Sequence, residues 1–539
     1  MLHVTVPSIP GAKVRSRRGG VSWQVTAKGV HAVQRLCVAS VDVAALTELE
    51  LKVEFWRPPV AGWVGSPRLA GISEVQFARE DAGATLRLCT STPTDAALLL
   101  AAAVRCLRPV ASGDAGPELT FAAGLPGTAA SLAPHVHDVL RADEKRDRHL
   151  RRSDVLVVAS EGQAPEIERA STLVVSDVAW SFDGVEHDVC VDPTIHRPVG
   201  RRSTGANAIG KGALDGASLT VRAGEATIVL EGVVSAANAR ALRNVAGIVV
   251  DAGLPDRLQH QLAACGVLVS ARREGLPAPD DDLAWQSRSV SARRHALRQH
   301  GPSAILDAWP SVSVILATYR PDHLEAAMRY VSGLRYPRLE VVVGAHGPGV
   351  DPARVWELTQ DVPHPVTVVP VEAERTLGEV LQRCTDRAEG ALITKMDDDD
   401  VYGPEHVWDL VLARQYSGAE LVGKALDWIY VESENATVFR PVYGAEKYAD
   451  FVAGGTILIS RADLMAVGGW RPVPKSVDRA LLDRLQAAGG LVYRTHGLGY
   501  VYVRHQRGHT AAVSDEHFLT KVRDRHSGLI AHEAFGTAS

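Results

Sequence analysis

Four consecutive aspartates, Asp397 to Asp400, follow the apolar run ALITKM. Like charges a few ångströms apart raise one another's pKa, so such a tract is costly unless a counter-charge offsets the repulsion. A divalent cation is the natural counter-charge. In an extended segment side chains alternate, which puts Asp397 and Asp399 on one face and Asp398 and Asp400 on the other. Two carboxylates on one face suit a hard ion, Mn2+ or Mg2+, that completes its shell with substrate phosphate oxygens, so the expected substrate carries a diphosphate. The same residues also read as a solvated acidic loop, or as a helix N-terminus whose dipole aspartates complement. Further along, Asp478 in SVDRALLDR is a carboxylate able to take a proton or to cap the helix that follows. His505 and His509 in YVYVRHQRGHT are candidate metal ligands or surface residues.

The elements that would position these residues are legible. SVSVILATY, LEVVVGAHGPG, PVTVVPV and ALITKMDDDD read as buried strands, and HLEAAMRYVSGL, VWELTQDV and LGEVLQRCTDRAEG as helices between them. Such alternation predicts an α/β domain with a largely parallel sheet covered on both faces, whose ligands bind at the carboxyl ends of the strands. The acidic tract stands at one of those ends.

From Ser311 to about Thr510 these blocks, with AGGTILISRADLMAVGGWR and SVDRALLDRLQAAGG after them, resemble the family 2 glycosyltransferases of GT-A fold. The resemblance implies transfer of a hexosyl-type sugar, with inversion, from a nucleoside diphosphate sugar to an acceptor hydroxyl, with Mn2+ or Mg2+ as cofactor. It places Thr318, Tyr319 and Arg320 near the nucleoside at the mouth of the first strand, and Lys395 with the donor. Asp397 and Asp399 match the two acids of DxD, on ribose and the metal-diphosphate, with Asp398 assisting on the donor side. Asp478 takes the place of the catalytic base, Gly468, Gly469 and Trp470 that of the acceptor loop, and His505 and His509 that of a late histidine near the metal. Arg504 and Arg507 are alternative partners for the departing diphosphate. Two positions depart from the family pattern. Gly344-Ala345-His346-Gly347 stands where an acidic turn usually contacts the base, and Gln382 where an asparagine is frequent. A nucleotidyltransferase of related fold is one alternative, opposed by the lack of a glycine-rich entry loop after the first strand. A non-catalytic carbohydrate-binding scaffold is another, raised by the altered second turn.

At 539 residues the chain exceeds one hydrophobic core. The expected divisions are a mixed α/β N-terminal domain over 1–150, a Rossmann-like α/β domain over 151–305 and the catalytic domain over 306–539. A hydrophobic fraction of 46% against 22% charged residues supplies several packed cores rather than a disordered chain. A formal net charge of -5 speaks against a nucleic-acid partner, which favours a basic surplus. Six scattered cysteines without a CxxC pair suggest neither a zinc knuckle nor a disulfide framework, and read as buried thiols of a reducing compartment. The longest apolar run, 96–104, is too short to span a bilayer and the N-terminus lacks a signal-peptide core, so a cytoplasmic location is expected, with a glycan, lipid-linked or small-molecule acceptor.

In the N-terminal half, CVDPTIHRPVG at 190–200, QLAACGVLVSARR at 261–273 and the helical stretch after it weakly resemble the C-terminal half of GT-B glycosyltransferases of the spore-coat CgeB type. The missing acidic sugar-binding pattern implies a degenerate, GT-B-like transferase serving as scaffold or acceptor module. Gly205 to Lys211 satisfies GxxxxGK, but Gly212 replaces the Ser or Thr that a P-loop needs and no strand precedes it; it reads as a glycine loop.

Overall fold

The computed structural model describes residues 7–17, 21–40, 43–56, 69, 71–108, 180–182, 185–187, 190–201, 209–301, 309–506 and 514–538. The 150 boundary, the expected strands at 154–160 and 170–177, Arg507 and His509 lie outside them.

The C-terminal part is an eight-stranded sheet. Its order is Val366–Pro370, Leu339–Ala345, Val312–Thr318, Leu392–Asp397, Leu458–Ser460, Leu421–Lys424, Val492–Thr495 and Lys447–Tyr448. The first four strands are parallel and Leu458–Ser460 runs antiparallel to its neighbours. Val312–Thr318 is buried at nearly every position, as expected of a β-branched central strand covered on both faces. The register sets the edge that matters. Asp397 lies opposite Ala317, and Thr318 opposite Ala345, so three strands release their chain at one level. A smaller sheet, Val401–Tyr402, Tyr500–Arg504, Trp428–Val431, Ala436–Phe439 and Asp524–Ser527, flanks this edge.

The N-terminal residues form a five-stranded sheet with helices Val30–Ala39 and Ala96–Leu107. Every residue of the second helix is buried. The reason is that it lies between its own sheet and the C-terminal part: Arg105 donates to the Ser417 carbonyl, and Arg108 pairs with Glu420 at 2.7 Å. One apolar cluster runs from Trp23 through Leu99 to Val314 and Tyr493, so these two parts share a core.

Between them, 209–301 do not form the expected Rossmann-like sheet. Ala226–Glu231, Ser218–Ala223 and Ile209–Asp215 make an antiparallel meander, and only Gly247–Val249 and Leu268–Ser270 continue it in parallel. ATIVLE alternates exposed and buried, the pattern of a strand solvated on one face, and short runs of this kind are ambiguous by periodicity. Gly210 and Lys211 of the GxxxxGK match belong to a strand rather than a loop, because glycine at 210 and 212 lets Val221 and Val250 pack against the backbone. A phosphate cradle would instead open a helix there.

Asp427 is one of the buried groups that tie stability to pH. Asp427, beside strand Trp428–Val431, is buried with Oδ1 lacking a partner. Burial pushes its pKa from 3.8 to about 7, with Arg494 and the Gly497 amide opposing. A carboxyl whose folded pKa is raised stabilises the fold when protonated, so its ionisation cost grows between pH 3.8 and about 7 and is full above. Asp427→Asn should therefore raise stability by on the order of 2–4 kcal/mol at pH 8, an advantage that fades toward pH 4 in urea titrations.

Candidate functional site

The register above brings Tyr319, Arg320, His346 and the aspartate tract to one edge. After Asp397 the chain leaves the strand and turns, so the alternation expected of an extended tract does not apply. The turn still sorts the four carboxylates. Asp398 reaches back to the first strand: Oδ2 accepts from the backbone N–H groups of Tyr319 (3.0 Å) and Arg320 (3.3 Å), and Oδ1 from the Arg320 guanidinium (2.8 Å). Asp400 turns into the interior, where Oδ2 accepts from Tyr500 Oη (2.7 Å) and Oδ1 from the Val503 N–H (2.9 Å), tying the small sheet to the tract. Burial and the neighbouring Asp399 and Asp397 hold Asp400 well above the carboxylate range. Asp397 and Asp399 keep side chains 33% and 18% exposed, against 5% for Asp398, so these two are open to a ligand.

Lys395 joins the tract to the second carboxylate. It is buried, its Nζ 2.7 Å from Asp397 Oδ1 and 3.3 Å from Asp478 Oδ1. Burial pulls its pKa down, but Asp397 and Asp478 outweigh that and the net shift is upward, which keeps it charged. Asp478 lies in the first turn of helix Val477–Ala487; Ser476 holds the cap position, so Asp478 does not cap. Its carboxylate faces Lys395, which donates to Oδ2 at 3.4 Å and leaves Oδ1 without a hydrogen-bond partner. Burial first, and Asp397 second, raise the Asp478 pKa, against the opposing charge of Lys395.

The turn Gly454–Thr456 closes the site, a role for AGGT that the sequence does not announce. Tyr402 Oη accepts from the Asp397 N–H (2.8 Å) and donates to the Gly455 carbonyl (3.0 Å). A Cβ on Gly455 would stand 2.8 Å from Asp397 Oδ2, and one on Gly454 2.3 Å from Asp478 Oδ2. Gly454→Ala is expected to displace Asp478 and to lower turnover roughly 10²-fold in an initial-rate assay, with the cooperative melt retained.

Thr318 is buried with its hydroxyl unpartnered, beneath the rim. Tyr319 is half exposed, its ring 5.2 Å from that of His346, whose Nε2 is buried and unpartnered. The Trp470 indole is core: it donates to Thr385 Oγ1 (3.0 Å), and the Trp470 N–H donates to Gln382 Oε1 (2.9 Å). Gly468 and Gly469, with φ of 86° and 65°, form the bend that seats it, and a Cβ at 469 would strike Gln382. Gln382 thus supports the GGW loop. His505 packs against other groups: its Nδ1 lies 3.7 Å from Glu432 Oε1 and its ring 4.9 Å from that of His323. Arg504 pairs with Asp515 at 2.8 Å. Asp397, with Oδ1 on Lys395, and Asp399, with Oδ2 on Arg320 at 2.8 Å, each keep a second carboxylate oxygen, a hard donor of the kind that suits Mn2+ or Mg2+.

No helix among the described residues is long and apolar enough to cross a membrane. No family model matches the chain, and no curated protein matches it. Among solved structures it is similar to S. aureus TarS 1–349 in complex with UDP-GlcNAc, at 16% identity, 39% of this chain, 63% of that one and TM-score 0.32. It is also similar to the mannosyltransferase PcManGT from Pyrobaculum calidifontis in complex with GDP-Man and Mn2+, at 18% identity, 37% of this chain, 58% of that one and TM-score 0.29. The chain thus spans less than two thirds of either structure.

Proposed function

We propose that the chain is a nucleotide-sugar-dependent glycosyltransferase, acting with inversion on an acceptor hydroxyl at the edge built by Asp397, Asp399 and Asp478. The observation that carries this reading is the Lys395 ammonium lying between Asp397, at the end of a parallel strand, and Asp478, in the first turn of a helix, so that an acidic rim and a second carboxylate stand side by side. Asp397 and Asp399 would hold Mn2+ or Mg2+, which when bound supplies Lewis-acid stabilisation of the charge developing on a departing diphosphate. Arg320 and the Tyr319 and Arg320 amides fix Asp398, and so set the rim on which the donor rests. The exposed Tyr319 ring offers a face to the base. Asp478, its carboxylate paired with the Lys395 ammonium, accepts the acceptor proton as attack proceeds. Calorimetric titration of UDP and GDP with and without Mn2+ tests the reading. Saturable, Mn2+-dependent binding of at least one is expected, and no binding of either would overturn it.

A further inference from the structure

Beside the middle sheet, three residues scattered in sequence converge. Cys190 Sγ lies 3.7 Å from His260 Nδ1, and donor atoms of Cys190, His260 and His300 all fall within 4.8 Å of one another. Among the described residues no other group of three metal-ligating side chains does so. The three come from separate elements: Cys190 from the segment entering the middle sheet, His260 from helix Asp256–Ala264 and His300 from the last position of helix Asp282–His300. Hydrogen bonds to the carbonyls of His300 and Cys190 hold them together independently. The Val191 N–H donates to the His300 carbonyl (3.0 Å), and the Gln261 carboxamide donates to the Cys190 carbonyl (2.7 Å).

We propose that Cys190, His260 and His300 form a Zn2+ site that clasps the middle module. One thiolate and two imidazoles are a donor set that zinc favours and that Mg2+ and Mn2+ do not. The 3.7 Å between Cys190 Sγ and His260 Nδ1 falls within the roughly 3.3–3.8 Å that separates neighbouring ligands of a tetrahedral ion with bonds of about 2.0–2.3 Å. The His260 and His300 rings are stacked, 3.5 Å apart and 14° from parallel, so one must turn about its Cβ–Cγ bond for both lone pairs to meet at one point. A turn of the His300 ring, at the helix end, would achieve this, and water or the exposed His295, whose ring is 5.9 Å from that of His300, supplies the fourth ligand. Burial of Cys190, 5% exposed, favours a held ligand over a nucleophile that must meet a substrate.

The test uses the full-length protein, dialysed against chelator and titrated with Co2+ and Zn2+. Expected are about one tightly held Zn2+ per chain and, with Co2+, a thiolate charge-transfer band in the near ultraviolet that Zn2+ displaces. Cys190→Ser should lose the band, and His300→Gln should weaken Zn2+ binding, with both variants melting cooperatively. Asp397→Asn should leave the band unchanged, separating this site from the acidic edge. Absence of the band in the wild-type protein, or its persistence in Cys190→Ser, would overturn the proposal.

Discussion

Asp399→Ala is expected to reduce donor turnover by on the order of 10³-fold while leaving the fold intact. Asp399 is partly exposed and, among the described residues, pairs with Arg320, which Asp398 also holds. Removing it therefore strips no buried partner, and Arg320 keeps its bond to Asp398 at 2.8 Å. On the proposed function, what is lost is one of the two residues that would hold the metal at the leaving diphosphate, an effect of several kcal/mol in the transition state. The signature is a rise in the Mn2+ concentration needed for half-maximal rate, measured with melting temperature as control. Asp398→Ala should behave differently: it leaves two backbone N–H groups and a guanidinium without their acceptor, so stability should fall by about 1–3 kcal/mol as well as activity. Equal rates for wild type and Asp399→Ala over a Mn2+ series would refute the metal assignment.

Asp478→Asn should lower kcat by roughly 10²–10⁴-fold and leave nucleoside diphosphate binding near the wild-type level. The substitution preserves shape and the contact with Lys395 but removes the basic oxygen. A base must be ionised to accept a proton, so the wild-type rate should fall as pH drops through the Asp478 pKa. Burial and Asp397 raise that pKa, so the acid limb should lie above the ordinary carboxylate range. Lys395→Met removes the charge that opposes this rise, and should carry the limb further toward alkaline pH. A pH–rate profile unchanged in Lys395→Met would show that Asp478 is not the titrating base.

The central strands and the helices between them were readable because hydrophobic period and β-branching report burial on both faces, as Val312–Thr318 and Leu392–Asp397 show. The placing of Asp397 and Asp399 on one face rests on alternation along an extended segment, whereas the chain turns after Asp397. Short antiparallel strands such as Ala226–Glu231 were harder, since half-buried runs carry no signal of partner or direction.

The sequence by itself determined the parallel core and the position of its acidic edge, because both arise from local pattern: apolar period, turn residues and a run of like charges. Tertiary structure decided what each carboxylate does. Asp398 became a clamp on the first strand and Asp400 a buried anchor for Tyr500, through partners about 80 and 100 residues away. It likewise decided that Trp470 is core, that Gly454 and Gly455 wall the site, and that Cys190, His260 and His300 meet. No spacing along the chain encodes these meetings, because the separation of side chains in space is set by strand order and helix packing rather than by distance in sequence.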